Sequence, residues 1–334
     1  MTLEDWANFS NAAIASATAV LALAWLASVA QWAFGSKAVR AERSARAAEP
    51  ALAGAAISGA GSGAGSSDAS GATTTATTDA AAETAEERSD LFGRVALSLT
   101  VLGFLVLLAG VVGRGLAAER VPWGNMYEFA TTGIAVVLAG YLVMVVLMQV
   151  QWLAPIVLGF SVVVLGLSMT VYVPAGPLVP ALDSYWLVIH VISAMVAGAG
   201  FLVGAGASVL YLLRTRADAR GGAKGYLGRL PKAAAMDQLA YRVTAFSFPV
   251  WTFAALISGP IWAEHAWGRP WGWDPKEVWA FITWVAYAGY LHARATAGWK
   301  GRAAAILALI AFATFVFNFV GVNLFFPGLH SYAK

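Results

Sequence analysis

Apolar residues along this chain gather in long uninterrupted runs. Runs at about 11–34, 92–113, 126–149, 153–173, 186–213, 242–263, 274–294 and 303–326 are each long enough for one α-helix across a hydrocarbon core of ~30 Å. They predict an all-α integral membrane protein, a polytopic helical bundle of about eight transmembrane helices. Between the first two runs, residues 50 to 90 are mostly Ala, Gly, Ser and Thr, too poor in large apolar groups to repay the entropy of ordering. The expected organisation is therefore an N-terminal transmembrane helix over 1–36, a flexible cytoplasmic linker over 37–90 and a membrane domain over 91–334.

Composition agrees with the pattern. Apolar residues make up 59% of the chain and charged residues 12%, with a mean hydropathy of +0.69, far from a soluble domain. The N-terminus carries Glu4 and Asp5 and no basic n-region, so the first run reads as an uncleaved span. Cysteine is absent, which excludes disulfides and thiol chemistry within this chain. A net charge of +3 is small for this length and points to no nucleic-acid partner.

Basic residues set the orientation. Alternate threading places 36–94, 214–242 and 294–302 on one side, with sixteen of the 21 Lys and Arg residues, from Lys37, Arg40, Arg43 and Arg46 to Arg294, Lys300 and Arg302. That side is cytoplasmic by the positive-inside rule, so both termini lie outside, in a cell (plasma) membrane, multi-pass. Arg114, Arg120, Arg269, Lys276 and Lys334 fall outside. The stretch from Trp262 to Asp274 then faces outward, as does His330. His190 lies near the outer end of its helix, and His292 at the inner end of the next-to-last span.

Candidate chemistry concentrates in residues 262 to 299. Six of the fourteen tryptophans fall between Trp262 and Trp284. Trp262, Trp267, Trp271 and Trp273 precede a helix in a loop with Gly268, Pro270 and Gly272, which suits a platform for a flat aromatic ligand better than single interfacial belt residues. Asp274-Pro275-Lys276-Glu277 predicts a helix start: Asp at the N-cap, Pro at the first position and Glu completing a capping box. From Trp273 to His292 that helix spans roughly 28 Å at 1.5 Å per residue, so one ligand cannot touch both ends. His190 and His330, level with the tryptophans, are candidate axial ligands for haem iron, and His265 remains an alternative member of the pair. Arg269, Lys276 and Arg120 are the outer cations available to propionates. In VPWGNMYE, residues 121–128, Trp123 and Glu128 sit at the membrane boundary, Glu128 in a ligand or anchoring role. Gly198, Gly200, Gly204 and Gly206 predict close helix packing.

These motifs resemble the WWD-domain, haem-handling proteins of System II cytochrome c biogenesis, the CcsA/ResC type. Carrying the resemblance are Trp267-Gly268, Trp271, Trp273 through Glu277, Trp279, Trp284, Tyr287 and Leu291-His292-Ala293-Arg294, supported by Pro122 through Glu128, Ser184 through Val191, and Gly328-Leu329-His330-Ser331-Tyr332. It covers about residues 90 to 334. It implies the membrane subunit of a cytochrome c synthase that moves haem b from the cytoplasmic side to an outer Trp-rich site. There haem is attached to the CXXCH thiols of apocytochrome c, with thiol reductases of the pathway keeping those thiols reduced. His190 and His330 would be the outer axial pair, and Trp123, Glu128, Trp267, Trp271, Trp273, Asp274, Glu277 and Trp279 would belong to the haem-binding motifs. His292 would be this chain's share of a transmembrane haem site completed by a ResB-type membrane partner. His265 receives no role from the resemblance. A haem exporter without synthase activity is the alternative; a b-type electron-transfer subunit expects histidines paired at shared depth, and His292 has no such partner in this chain.

Overall fold

The computed structural model describes residues 1–58, 68–178, 180–223, 225–296 and 298–330. The centre of the expected linker (59–67), Lys224, Lys334 and the motif residues Ser331 and Tyr332 lie outside the described residues. All regular structure among the described residues is helical: α1 (Leu3–Ser58), α2 (Asp68–Ala118), α3 (Met126–Met148), α4 (Ala154–Ser168), α5 (Tyr185–Asp218), the single turn α6 (Tyr226–Arg229), α7 (Ala233–Phe253), α8 (Gly259–Trp267), α9 (Pro275–Ala295), α10 (Arg302–Val316) and the short α11 (Val322–Phe325). Two π-helical turns, Ala254–Ser258 and Phe317–Gly321, join α7 to α8 and α10 to α11. Helix in α1 and α2 extends well past the apolar runs, into 37–58 and 68–90; alanine, abundant there, is the strongest helix former.

Seven helical segments among the described residues are long and apolar enough to cross a membrane: Leu3–Gly35, Glu83–Ala118, Met126–Met148, Gln151–Val171, Tyr185–Asp218, Ala233–Trp267 and Arg302–Phe325. The eighth expected span, α9, has the length, at 21 residues. It falls short in apolarity because its packed face carries Glu277, Thr283, Tyr287 and Tyr290, followed by Arg294. Leu105, Val146, Val163 and Ile310 are exposed on the outside of the helices, the distribution expected where the solvent is lipid.

Contacts divide the chain into two compact units, one of Met1–Trp25, Ser98–Leu212 and Lys232–Lys334, the other of Leu26–Leu97 and Leu213–Pro231. In the larger unit the glycines of α5 do what the sequence predicts. Gly200 lies against Ser247 and Gly204 against Thr244, both on α7, while Gly198 faces Phe315 of α10 and Gly206 faces Ile156 of α4. Side chains of the neighbouring helices lie directly on the α5 backbone because no Cβ intervenes. Around this seam Phe201, Trp251, Tyr287 and Ala311 form a buried core, with the Phe201 and Tyr287 rings stacked at 3.7 Å. The last turn of α9 is tied to α7 by Arg294, bidentate on Asp237 at 2.7 and 3.0 Å and stacked over Tyr241.

The smaller unit is held by polar contacts around α6. Arg214 donates to the Leu227 and Leu230 carbonyls, each at 2.7 Å, and Arg229 donates to Ser89 Oγ at 2.7 Å. Phe34 and Phe92 stack at 5.3 Å.

Candidate functional site

The tryptophan-rich stretch is half helix. Trp262 and Trp267 belong to α8, not to a loop, and α8 ends at Gly268, whose left-handed φ of 69° lets its N–H reach the Glu264 carbonyl at 2.9 Å. Only Gly268 to Asp274 forms the loop proper. At its end the predicted capping box is present: Asp274 accepts from Lys276 N at 3.0 Å, and Glu277 accepts from Asp274 N at 3.0 Å.

Glu277 does more than cap. One of its oxygens takes the N–H groups of both Gly272 and Asp274, at 2.8 and 3.0 Å. These amides flank Trp273, and closing both onto one carboxylate oxygen holds Trp273 at φ 57°. A left-handed tryptophan costs of order 1–3 kcal/mol and persists only where surrounding bonds over-determine it. In consequence the Trp273 ring stands 69% exposed, edge-on to Trp271 at 5.7 Å. Trp271 Nε1 is buried without a hydrogen-bond partner, so the platform holds an indole donor that a bound group can satisfy.

Asp274 also anchors the tail. Leu329 N donates to Oδ2 at 2.6 Å and His330 Nδ1 to Oδ1 at 2.9 Å. The close approach requires glycine at 328, where a Cβ would collide with this carboxylate. Burial pushes the Asp274 pKa up, but the bonds from His330, Lys276 N and Leu329 N outweigh it and hold the group below its ordinary value. A carboxylate can only accept, so His330 carries its proton on Nδ1 and, when neutral, its lone pair on Nε2. His190 is arranged likewise, with Nδ1 donating to the Ala254 carbonyl at 2.9 Å.

The two imidazoles converge on the α8 tryptophans. His190 stacks on Trp262 at 5.9 Å, and His330 meets Trp262 at 5.7 Å and Trp267 at 5.0 Å. Trp262 is 2% exposed, and its Nε1 donates to Ala181 O at 3.0 Å, which fixes the ring. Trp123, Leu187 and Val191 pack in the same cluster. Of the residues singled out from sequence, His190, His330, Trp123, Trp267 and Asp274 are thus brought together. Asp274 and Glu277 act on the platform as anchors of backbone and imidazole. Trp262, one of the four tryptophans of the expected platform, is the ring that joins the set.

Glu128 is elsewhere in its contacts. It is fully buried, paired with Arg114 at 2.9 Å and Arg120 at 2.7 Å, and accepts Gly124 N at 2.8 Å. Asn125 caps α3 by accepting Glu128 N. VPWGNMYE is thus a helix start pinned by two arginines, which explains how Trp123 is held. Arg120 is engaged there, and Lys276 bonds Asn323 Oδ1 at 3.1 Å; Arg269 is exposed. Trp279 packs on Phe317 of the second π turn at 4.2 Å. His265, exposed, closes locally on the Ile261 carbonyl at 2.8 Å. His292 is at the far end of α9, roughly 26 Å along the axis from Pro275, and is exposed on the helix surface.

Sequence reading missed Arg114, Ala254 and Gly259 as supports of these groups. An arginine at the end of an apolar run, opposite a membrane-boundary carboxylate, was the available signal for the first. Backbone contacts made by Ala254 and Gly259 leave no mark in composition.

A family model described as Cytochrome C assembly protein matches residues 116–330 of this chain. The chain is similar to the cytochrome c biogenesis protein CcsA of Parasynechococcus marenigrum (strain WH8102), 34% identical over 264 residues that cover 70% of this chain and 85% of the relative. It is equally similar to that of Mesostigma viride, 34% identical over 267 residues covering 72% and 86%. A match to the same protein of Chlamydomonas reinhardtii is 42% identical over 158 residues, but spans only 47% of this chain and 43% of the relative.

Proposed function

The chain belongs to the cytochrome c assembly protein family and is a multi-pass membrane protein; from that premise we propose that it is the haem-handling subunit of a holocytochrome c synthase. Haem b is its cargo and substrate. It enters through a transmembrane station at His292, completed by a ResB-type partner, and is presented at the extracytoplasmic platform of His190, His330 and the tryptophans. There a CXXCH segment of apocytochrome c takes it up, each cysteine thiol adding across a vinyl group: the S–H bond and the vinyl π bond break, and one C–S and one C–H bond form.

The observation that carries this reading is the convergence of two imidazoles, each with Nδ1 tied to a fixed acceptor, on one tryptophan cluster. Nδ1 anchoring leaves Nε2 as the basic nitrogen of each neutral ring, the arrangement of axial histidines. Trp262 and Trp267 supply apolar walls, and the exposed face of Trp273 and the unpartnered Trp271 Nε1 supply the mouth. His330 comes from the chain's tail and Trp267 from α8, so loosening the tail opens the platform for release. His292, exposed on α9, is accessible to a second histidine from another subunit. With no cysteine in the chain, reduction of the peptide thiols falls to thiol reductases, and these residues act by holding and orienting the two reactants.

Two experiments test it. In protein purified with its partner, His190→Gly and His330→Gly each change the haem absorption spectrum, and added imidazole partly restores it; unchanged spectra in both variants refute the ligand assignment. Co-expression with the partner and a CXXCH substrate yields covalent cytochrome c, whereas haem delivered outside with no covalent product identifies an exporter instead.

A further inference from the structure

We propose that the π turn Ala254–Ser258, together with Gly259, is the positioning device for the His190 imidazole. The inference rests on the reading of His190 as a haem ligand and identifies what aims it. In a regular α-helix the Ala254 carbonyl would be satisfied within its own helix by the N–H four residues on. Here its intrahelical partner is Gly259 N, five residues on. The sequence reason lies in the next residue: Pro260 has no N–H to continue the ladder onto Leu256. The second lone pair of the Ala254 carbonyl takes His190 Nδ1–H at 2.9 Å. Ser258 Oγ lies 3.1 Å from the Phe253 carbonyl and 3.2 Å from that of Ala254.

Gly259 supplies the clearance. A Cβ at this position would stand 3.2 Å from both Cε1 and Nδ1 of His190 and 3.0 Å from the Ala254 oxygen. Such contacts are tighter than side chains ordinarily make, so the imidazole would have to move. One turn further, Trp262 stacks on the same ring at 5.9 Å with an interplanar angle of 15°. Residues 254, 259 and 262 therefore give the imidazole an acceptor, a space and a wall, which together fix its tautomer and tilt. π turns recur at functional sites because the widened turn re-aims backbone groups in this way, and the outer partners of a metal-binding histidine are worth about 10–100-fold in affinity.

The first measurement needs no variant in the positioning residues. In full-length haem-free protein labelled with 15N-histidine, the His190 signal, assigned by its loss in His190→Gly, is expected to show a protonated Nδ1 and a bare Nε2; the opposite tautomer overturns the inference. The second uses Gly259→Ala, which adds one methyl group. It should retain haem about 10–100-fold less tightly, with a spectrum that shifts toward the wild type when imidazole is added and with thermal unfolding of the haem-free protein little changed. Wild-type retention and spectrum in Gly259→Ala, alongside a changed spectrum in His190→Gly, overturn the positioning inference alone. A wild-type spectrum in His190→Gly overturns the ligand reading on which it rests.

Discussion

The carboxylate of Asp274 joins the start of α9 to the tail that carries His330, and replacing it separates two roles that one residue combines. Oδ1 accepts Lys276 N and His330 Nδ1, while Oδ2 accepts Leu329 N at 2.6 Å. Asp274→Asn preserves the helix cap, because Asn and Asp cap about equally well. Its amide has a single oxygen, however, so it cannot serve both the Leu329 and the His330 donors. Losing one hydrogen bond to a charged group costs about 1.5–3 kcal/mol, or about 10–160-fold in the opening equilibrium of the tail. Asp274→Ala removes the cap as well, worth about 1 kcal/mol, and all three donors lose their acceptor. Hydrogen exchange followed by mass spectrometry reads both effects. Protection of 326–330 falls in Asn and further in Ala, whereas the first turn of α9 loses protection in Ala only. Unchanged protection of the tail in both variants refutes the account. The pH dependence has a definite sign: the native pKa of Asp274 lies below its ordinary value, so its contribution is fully present above that value. It is lost as pH falls through the lowered one, and tail protection is expected to fall in acid, below about pH 4, and not near neutrality.

Two other substitutions probe the support of Trp123 and the proposed transmembrane station at His292. Glu128→Ala leaves the buried Arg114 and the half-buried Arg120 without their carboxylate; it is expected to lose about 3–5 kcal/mol, read as a lower unfolding temperature in detergent, and a wild-type temperature would refute the anchoring role. His292→Gly, on an exposed surface of α9, should leave unfolding unchanged and abolish delivery of haem to the platform, so wild-type haem content in the purified complex would contradict its assignment.

Much of this protein is legible along the chain because a membrane constrains it one residue at a time. Backbone groups in hydrocarbon must be satisfied within the segment, so apolar length announces helices, and the runs lie where the helices lie. Capping is equally local: Asp274-Pro275-Lys276-Glu277 starts α9 as its spacing predicts. Small-residue spacing marked the face of α5 that packs on α7. Even the separation of His292 from the tryptophans follows from helical rise alone.

What the tertiary structure decided are contacts between residues far apart in sequence. Asp274 meets His330 across 56 positions, and His190 meets the Ala254 carbonyl across 64. Neither can be read from periodicity, which reports only the neighbours of a residue within its own helix. In the sequence Trp262 is one tryptophan among several; in the fold its ring stands against both imidazoles. Glu128 reads in the sequence as a lone boundary carboxylate; in the fold two arginines pair with it and make it an anchor. The sequence by itself determined where the apolar helices run, the capped start of α9 and the residue types available for chemistry, because those depend on local bonding and on solvent; it did not mark how far α1 and α2 extend or that Trp262 and Trp267 are helical. Only the packed bundle decided which carbonyl, carboxylate and ring each histidine faces, because that depends on how distant helices are held against one another.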